Sequence, residues 1–281
     1  MSGILYIVAT PIGNLEDITL RALRILKEVD LIAAEDTRHT KTLLNHYGIH
    51  TPLTSYHDHN EKTKAHALVA RLEQGENVAL VSDAGTPTLS DPGYRLVRES
   101  VEAGVNVTPV PGASALTAVL SASGLPTDRF VFEGFLSAKK RERRERLQGL
   151  REESRTLVFY EAPHRLKGSL QDLLEVLGDR EVVLGREVTK IYEEFIRGRL
   201  SEVTALAGSR EWRGEITLVV KGSEGRKAPA DDLLTAEIQR LRRKGMRVKE
   251  IAELLGERFS YPKREVYRLA LEREEKSDTI P

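Results

Sequence analysis

Residues 77–93, NVALVSDAGTPTLSDPG, decide the fold class of this chain. The segment begins with a short apolar run, continues into a loop of small residues, acids and two prolines, and leads into an amphipathic stretch. A short apolar run bounded by turn residues is typical of a strand that is buried on both faces of a sheet. We therefore predict a strand over 77–82, a loop that ends it, and a helix over 91–103.

The same order of strand, loop and helix recurs on both sides of this segment. Apolar runs at 4–9, 31–34 and 107–110 are each followed by helical spacing of apolar residues. Strands that alternate with helices predict a parallel sheet covered on both faces, so we expect an N-terminal α/β lobe over residues 1–124. Within this lobe, residues 53–60 are predicted to form a polar loop rich in histidine.

A second alternation begins near residue 130 and predicts a second α/β lobe over residues 125–222. Its last two strands, 193–199 and 215–220, are expected to be of a more antiparallel kind. The fold class expected from the sequence is therefore α/β, with two lobes followed by a small helical domain.

Residues 221–230 contain two glycines, a proline and several charges, a composition typical of a linker. Three short helices are predicted beyond it, in a C-terminal domain over residues 230–281. Gly256 is expected to end the second of these helices, because glycine is the usual residue just past a helix end.

The composition excludes several classes of protein. The 281 residues carry 43 basic and 43 acidic side chains, so no global charge attracts nucleic acid or membrane. The absence of cysteine excludes disulfides, thiolate nucleophiles and Cys-zinc sites. The N-terminus lacks a charged signal-peptide region, and no run approaches the roughly 18 apolar residues of a membrane span. We therefore expect a cytoplasmic protein that does not enter a membrane.

Loops at the carboxyl ends of parallel strands are where such sheets bind ligands, so these loops are candidate binding elements. Asp83 can accept hydrogen bonds, and Ala84 and Gly85 let backbone amides approach a ligand closely. A tight turn stiffened by prolines is the alternative. The small residues of VPGASA, 110–115, either leave room for a ligand at a helix start or allow close packing of helix on sheet.

The first loop, TPIGNLED at 10–17, has neither the glycine pattern nor the lysine of nucleotide-binding loops. Asn14 can simply cap a helix predicted over 15–26. The AEDTR sequence at 34–38 either caps the next helix or recognises a substrate.

Charged residues also end strands of the second lobe. FYEAPHR at 159–165, GREVTK at 185–190 and GEITL at 214–218 could line a cleft between the lobes. Ordinary Arg–Glu pairs and turn formation are the alternatives for these segments. The histidines of 55–60 are accompanied by neither cysteine nor an H-E-x-x-H pattern, so a loop that faces the substrate is expected there and not a metal site.

Two segments are rich in basic residues. Residues 139–155 hold eight basic and four acidic side chains, which favours a solvated helix over an RNA-binding one. The C-terminal domain has a denser run, and helix–turn–helix spacing with basic flanks predicts a nucleic-acid-binding module, with a solvated helical cap as the alternative. The candidate RNA-binding residues are Arg240, Arg242, Arg243, Lys244, Arg247, Lys249, Lys263 and Arg264.

The loop motifs, taken in order, resemble the tetrapyrrole methylase family, a class of S-adenosylmethionine (SAM) methyltransferases known as class III. The resemblance covers about residues 5–220, and within the family it points to the branch that methylates small-subunit ribosomal RNA. The first loop departs from the G-x-G-x-G-like pattern of enzymes that act on tetrapyrroles. The motifs are VATPIGNLEDITLRAL, AEDTRHT, VSDAGTPTLSDPG, VPGASA, FYEAPHR, GREVTKIYEE and GEITLVV.

This resemblance implies a tetrapyrrole methylase fold that holds SAM in the cleft between the lobes. It also implies a homodimer that methylates the ribose 2′-oxygen of a cytidine in the decoding region of 16S rRNA, in the small ribosomal subunit. The implied SAM contacts are Pro11, Asp83, Ala84, Gly85, Thr86, Ser114, Ala115, Tyr160, Glu161, Gly214, Glu215 and Ile216.

A ribose hydroxyl is a poor nucleophile until its proton leaves, so a base within hydrogen-bond reach is expected. The candidates are Glu187 and His57, with Lys190 and Arg38 to orient phosphate or stabilise charge. Two other functions stay open from the residues alone. One is a methylase of tetrapyrroles, against which the basic C-terminal domain argues, and the other is an RNA-binding assembly protein that keeps the fold without catalysis.

Overall fold

The computed structural model describes residues 2–224, 231–259 and 261–271. The chain divides into two compact units. The first, here called the α/β body, spans residues 1–151 and 155–221, and the second spans residues 152–154 and 222–281.

The first sheet of the α/β body has five parallel strands in the order β3-β2-β4-β1-β5. Every residue of β2 and β4 is buried, because these strands lie inside the sheet with helices on both faces. This arrangement confirms the predicted parallel sheet. The strands are β1 (Ile4–Val8), β2 (Leu31–Ala34), β3 (Leu53–Ser55), β4 (Val78–Val81) and β5 (Asn106–Val110).

Four helices connect the strands of the first sheet, and a fifth follows its last strand. Two separate apolar clusters cover the faces of the sheet. One packs Leu68 and Leu72, from the helix over 61–73, against Leu5 and Leu80. The other contains Ile25 and Leu26 of the helix over 20–28. The helices are α1 (Leu20–Glu28), α2 (Thr37–His46), α3 (Glu61–Glu73), α4 (Tyr94–Glu102) and α5 (Ala115–Ala122).

The structure corrects three local expectations in this part of the chain. Residues 53–60 are not all loop, because Leu53–Ser55 pairs with β2 at the sheet edge. Asn14 caps a short 3-10 turn, Leu15–Asp17, and α1 begins only after Thr19, whose hydroxyl accepts a hydrogen bond from the Ala22 amide at 3.0 Å. Helix α4 begins later than predicted, because Gly93 has a φ of 136° that no helix accommodates.

The second sheet is mixed, in the order β6-β7-β10-β8-β9. Strands β6 and β7 are parallel, whereas β10 pairs antiparallel with β7 and β8, and β9 pairs antiparallel with β8. The antiparallel character expected of the last two strands is therefore confirmed. The strands are β6 (Phe130–Phe135), β7 (Thr156–Glu161), β8 (Glu181–Arg186), β9 (Glu194–Arg199) and β10 (Ile216–Val220).

Helices α6 (Lys140–Gly149), α7 (Leu166–Leu177) and α8 (Leu200–Ser209) pack on one face of this sheet through a large apolar cluster. A smaller cluster on the other face joins Val119 of α5 to Val158 and Val219. Helix α5 thus connects the two sheets within one α/β body, which places loops of both sheets beside each other.

The second unit contains α9 (Asp231–Arg243), α10 (Val248–Phe259) and α11 (Lys263–Leu271), packed around Leu234, Ile251 and Val266. The expectation that Gly256 ends a helix is wrong, because α10 continues through it. A β-carbon at Gly256 would lie 2.8 Å from the Lys263 side chain and 3.2 Å from the Tyr261 carbonyl oxygen. This glycine therefore permits the close approach of α11. Most of the predicted linker, residues 225–230, lies outside the described residues.

Among the residues that the structure describes, none of the helices combines the length and the apolar character needed to cross a membrane.

Candidate active site

Loops from the first sheet meet at the carboxyl ends of its strands and are tied together by their backbones. The amide of Thr10, after β1, donates to the Gly85 carbonyl oxygen at 2.9 Å, and the Gly85 amide donates back at 3.0 Å. The Thr86 hydroxyl donates to the Ala113 carbonyl oxygen at 3.3 Å. The loops after β1, β4 and β5 therefore form one connected rim, as expected for a parallel sheet that binds a ligand there.

A cavity of about 360 Å³ lies between this rim and the second sheet. It is here called the main cavity. Of the positions that the resemblance implies as SAM contacts, all except Pro11 line it. The structure thus brings together residues from four separate segments that are up to 133 positions apart in the sequence, from Asp83 to Ile216.

Asp83 is held at the edge of the main cavity by the loop after β2. Its Oδ1 accepts a hydrogen bond from the backbone amide of Asp36 at 2.9 Å. Asp36 in turn caps α2 by accepting from the Arg38 amide at 2.8 Å. The capping interpretation of the AEDTR sequence is therefore correct for Asp36, and the same turn positions Asp83.

Two acids that were not among the predicted site residues, Glu35 and Asp91, also line the main cavity. Neither they nor Asp83 form an ion pair with any residue that the structure describes. Burial, together with the nearby carboxylates of Asp91 and Asp83, raises the pKa of Glu35. A carboxylate in this position is stabilised by a cationic ligand.

Burial also raises the pKa of the Asp91 carboxyl to about 6 from its usual 3.8. A hydrogen bond with Ser82 opposes this shift. Negative charges on neighbouring elements add to it, and these belong to Asp83, Asp58 and Glu215. The sequence contained one clue to Asp91, because it lies in the same loop as Asp83, but nothing local shows that its side chain is half-buried.

Tyr160, at the end of β7, forms the wall of the main cavity on the side of the second sheet. Its phenol oxygen accepts a hydrogen bond from the amide of Leu116 at 3.2 Å, at the N-terminus of α5. Its ring packs against Phe132 and Phe135, with centroids 4.9 and 5.6 Å apart. Burial raises the pKa of the Tyr160 phenol. Tyr160 is therefore a fixed, protonated aromatic wall.

Glu161 shows that a cavity-lining acid can be structural. Its side chain is buried and forms an ion pair with Arg165 at 3.0 Å, and it also accepts from the Ala162 amide at 2.8 Å. The ordinary Arg–Glu pair, which was the alternative interpretation of the FYEAPHR sequence, is therefore present in the structure.

The turn after β8 contains Glu187 and Lys190, which form an ion pair at 2.8 Å. Lys190 also reaches Glu215 at 3.1 Å, and Glu187 accepts from the Glu215 amide at 3.0 Å. Gly214 has a φ of 83°, and a β-carbon there would lie 2.3 Å from the Glu187 carboxyl. The absence of a side chain at Gly214 therefore leaves the space that the Glu187 carboxyl occupies.

The pKa of Glu187 is lower than usual even though burial acts to raise it. The hydrogen bond from Lys190, the Glu215 amide and the charge of Arg186 outweigh the burial. A carboxylate with a lowered pKa accepts a proton poorly. Glu187 and Lys190 lie beside the main cavity without lining it.

Arg38 and His57 lie apart from the main cavity. The Arg38 side chain is 90% exposed and forms an ion pair with Asp36 at 2.7 Å. The Nε2 of His57 lies 3.2 Å from the side-chain Nδ2 of Asn60. The catalytic roles predicted for Glu187, His57, Lys190 and Arg38 stay predictions.

A second cavity of about 180 Å³ lies between the first loop and α2. Pro11 lines this cavity, and Asp83 lines both. The Thr10–Gly85 pairing joins the walls of the two cavities, since Thr10 lines the second and Gly85 lines the main one.

The basic residues of the second unit fall into two groups. Arg240 pairs with Glu237 at 2.6 Å, and Lys263 lies 3.4 Å from Glu257. Arg242 is half-buried and donates a hydrogen bond to the Ala270 carbonyl oxygen at 3.2 Å. Arg264 on α11 is exposed and forms no ion pair with the described part of the chain, and the same holds for four residues near the turn between α9 and α10. These four, here called the turn cations, lie at the end of α9 and the start of α10, and they are Arg243, Lys244, Arg247 and Lys249.

Comparison with known proteins agrees with the fold and the loops. The family model of the tetrapyrrole (corrin/porphyrin) methylases matches residues 4–204. The chain is 50% identical to ribosomal RNA small subunit methyltransferase I of Synechocystis sp. over 275 residues, 97% of this chain and 99% of the relative. The protein of that name from Escherichia coli O157:H7 is 50% identical over 277 residues, 97% of this chain and 96% of the relative.

Among solved structures, uroporphyrin-III-C-methyltransferase of Thermus thermophilus matches with a TM-score of 0.57 and 23% identity. The match covers 78% of this chain and 94% of that one, and it shows the shared fold. The methyl donor of this family is SAM, in agreement with the expected cofactor. The chain therefore belongs to the tetrapyrrole methylase family of SAM-dependent methyltransferases, in the group of relatives named ribosomal RNA small subunit methyltransferase I.

Proposed function

We propose that this protein transfers a methyl group from SAM to the ribose 2′-oxygen of a cytidine in the decoding region of 16S rRNA. The observation that carries the proposal is the main cavity, where loops and an aromatic wall at the positions that the family resemblance implies meet three acids, Glu35, Asp83 and Asp91, that form no ion pair with the described residues. The relatives at 50% identity are named for methylation of small-subunit ribosomal RNA.

The lining of the main cavity fits SAM in charge and in shape. SAM carries a positive sulfonium and an ammonium group, and Glu35, Asp83 and Asp91 offer carboxylates without a cationic partner in the described part of the chain. Ile216 and Tyr160 offer apolar and aromatic surface for a flat adenine ring. The glycine at position 85, with a φ of 83°, lets the backbone approach the ligand.

Bound SAM supplies an activated methyl group on sulfur. The protein's part is to hold the acceptor hydroxyl in line with that methyl and to receive the hydroxyl proton. Glu187, His57, Lys190 and Arg38 are proposed for proton transfer and charge stabilisation in the assembled complex. Because the pKa of Glu187 is held low by its ion pair, the role as a base requires that the pair with Lys190 opens first.

The turn cations support the assignment of an RNA substrate. Four exposed basic side chains at one helix–helix turn suit the phosphates of RNA, which bind such groups with strong salt dependence. We propose that residues 230–281 form the RNA-binding domain, and that residues 1–124 and 125–222 form the two lobes that bind SAM. We also propose a cytoplasmic homodimer, for which exposed apolar side chains such as Leu20 and Ile191 are available.

A titration of the full chain with SAM at several pH values tests the cofactor assignment. Asp91 must be ionised to attract the cation, so the affinity for SAM is expected to rise as the pH increases through about 6. The variant Asp91→Asn should bind SAM more weakly at pH 7.5 and should lose this pH dependence. The matched control Asp128→Asn removes an exposed acid outside both cavities and should behave as the wild type.

Absence of SAM binding to the wild-type chain would refute the proposed function. A pH dependence that persists in Asp91→Asn would refute only the assignment of Asp91. Mapping of 2′-O-methyl groups on 16S rRNA with and without the protein, beside an assay with tetrapyrrole precursors, then identifies the acceptor.

A further inference from the structure

The second cavity, beside the main cavity, is a small polar pocket. It is lined by three threonines (Thr10, Thr40 and Thr42), by His39, and by apolar surface from Pro11 and Leu43. Its volume of about 180 Å³ is below the ~300 Å³ at which pockets for whole small ligands begin. A pocket of this size suits one residue of a longer polymer whose backbone stays outside.

Asp83 connects this pocket with the main cavity. Asp83 lines both cavities, and within its carboxylate only Oδ1 is engaged, by the Asp36 amide at 2.9 Å. The other oxygen can accept a hydrogen bond from a hydroxyl of a ligand in either cavity. A residue that lines both cavities is placed to align a methyl donor in one cavity with a methyl acceptor in the other.

The walls of the second cavity are held rigidly, as an alignment role requires. The Thr10 hydroxyl donates to the Ser82 carbonyl oxygen at 3.1 Å, and the Thr10 backbone pairs with Gly85 in both directions. Thr40 is buried on α2, whereas His39 and Thr42 form an exposed rim. The pocket thus has a fixed floor and an open mouth.

We infer that the second cavity binds the acceptor nucleotide, with Asp83 accepting a hydrogen bond from the ribose hydroxyl at the boundary with the main cavity. Thr40 and His39 offer hydrogen bonds to the base edge, whereas the hydroxyls of Thr10 and Thr42, which donate to backbone carbonyl oxygens, can accept. Pro11 and Leu43 offer apolar contact to the face of the base. This inference rests on the proposed function. It assigns Pro11, which the family resemblance implies as a SAM contact, to the site of the acceptor nucleotide.

The substitution Thr42→Trp tests the inference, because it fills the mouth of the pocket from an exposed position on α2. The matched control Asn45→Trp places the same side chain on the same helix at an exposed residue that lines neither cavity. Three quantities are measured on the full chain: SAM affinity by calorimetry, contact with cytidine 5′-monophosphate by saturation-transfer NMR, and methyl transfer to small ribosomal subunits.

We expect Thr42→Trp to keep wild-type SAM affinity, to lose contact with cytidine monophosphate, and to lower methyl transfer by about 100-fold or more. Asn45→Trp should retain all three. Retained SAM affinity also shows that the variant is folded.

Three results would overturn the inference: no nucleotide contact in the wild type, equal contact in both variants, or a loss of SAM affinity confined to Thr42→Trp. A loss of SAM affinity confined to Thr42→Trp would show that the second cavity belongs to the SAM site. Failure of the wild type to bind SAM at all would instead reject the proposed function, so the two failures are distinguishable.

Discussion

Two segments of this chain are rich in basic residues, yet the structure surrounds those residues differently. In α6, Arg143 is buried and forms an ion pair with Asp172 at 2.6 Å, and Arg146 pairs with Glu133 at 2.6 Å. At the turn between α9 and α10, the turn cations are exposed and have no such partner in the described part of the chain. A basic run therefore shows its role only through the acids that surround it in the fold.

The largest expected effect is on stability. Arg143 and Asp172 have side chains that are 8% and 1% exposed, so Arg143→Ala leaves a buried carboxylate with Arg144, at 3.1 Å, as its remaining ion-pair partner. We expect a loss of about 2–3 kcal/mol in the free energy of unfolding, because a charged hydrogen-bonded partner is removed while Arg144 still compensates the carboxylate. Arg243→Ala, at an exposed position, should change it by less than about 0.5 kcal/mol. Urea unfolding of both variants makes the comparison, and equal losses would contradict it.

The second effect is on binding to small ribosomal subunits. Replacement of the turn cations by glutamine should weaken binding by roughly tenfold or more at physiological salt, because contacts to phosphate are removed. The wild-type melting temperature should be retained. Unchanged subunit affinity would show that the turn is a solvated surface like that of α6. The four substitutions are Arg243→Gln, Lys244→Gln, Arg247→Gln and Lys249→Gln.

The salt dependence of the same binding sharpens this result. Each phosphate contact contributes about 0.7 to 0.9 to the slope of log affinity against log salt concentration. If all four turn cations contact phosphate, the quadruple variant should lose about 3 from the slope. A parallel shift of the binding curve with an unchanged slope would contradict direct phosphate contact.

A smaller stability effect is expected in the main cavity. The pKa of Asp91, about 6, lies above its usual 3.8, so the folded protein holds this proton more tightly than the unfolded chain. Without SAM, the protein should therefore lose stability as the pH rises from about 4 to about 6. Asp91→Asn should raise the melting temperature at pH 7.5 by ~2–4 °C, after allowance for solvent screening. A lowered melting temperature would contradict the assignment.

The smallest effect on the affinity for small ribosomal subunits is expected from a substitution on the exposed face of α6. Arg141 is exposed in a helix whose other arginines are paired with acids. Arg141→Gln should change subunit affinity by less than about twofold, since a single surface charge contributes little. A loss as large as that of the turn cations would erase the difference between the two segments.

Much of the fold was predictable because its signals are local. Buried runs such as Val78–Val81 and the helical spacing that follows them predict a parallel sheet, and turn residues mark its loops. The loop motifs also predicted most residues of the main cavity. The edge strand Leu53–Ser55 was missed, because three residues carry little periodic signal and only the pairing with β2 makes them a strand.

The sequence by itself determined the α/β class, the loops at the strand ends and the family, since these depend on patterns within short segments and on motif order. The tertiary structure alone decided which charges are paired, as Arg143 is and Arg243 is not in the part described. It also decided that Asp91 and Glu35 share a cavity with Asp83, while Pro11 lies in the neighbouring one. These distinctions depend on side chains that are distant in the chain, whose burial and partners exist only once both sheets are packed.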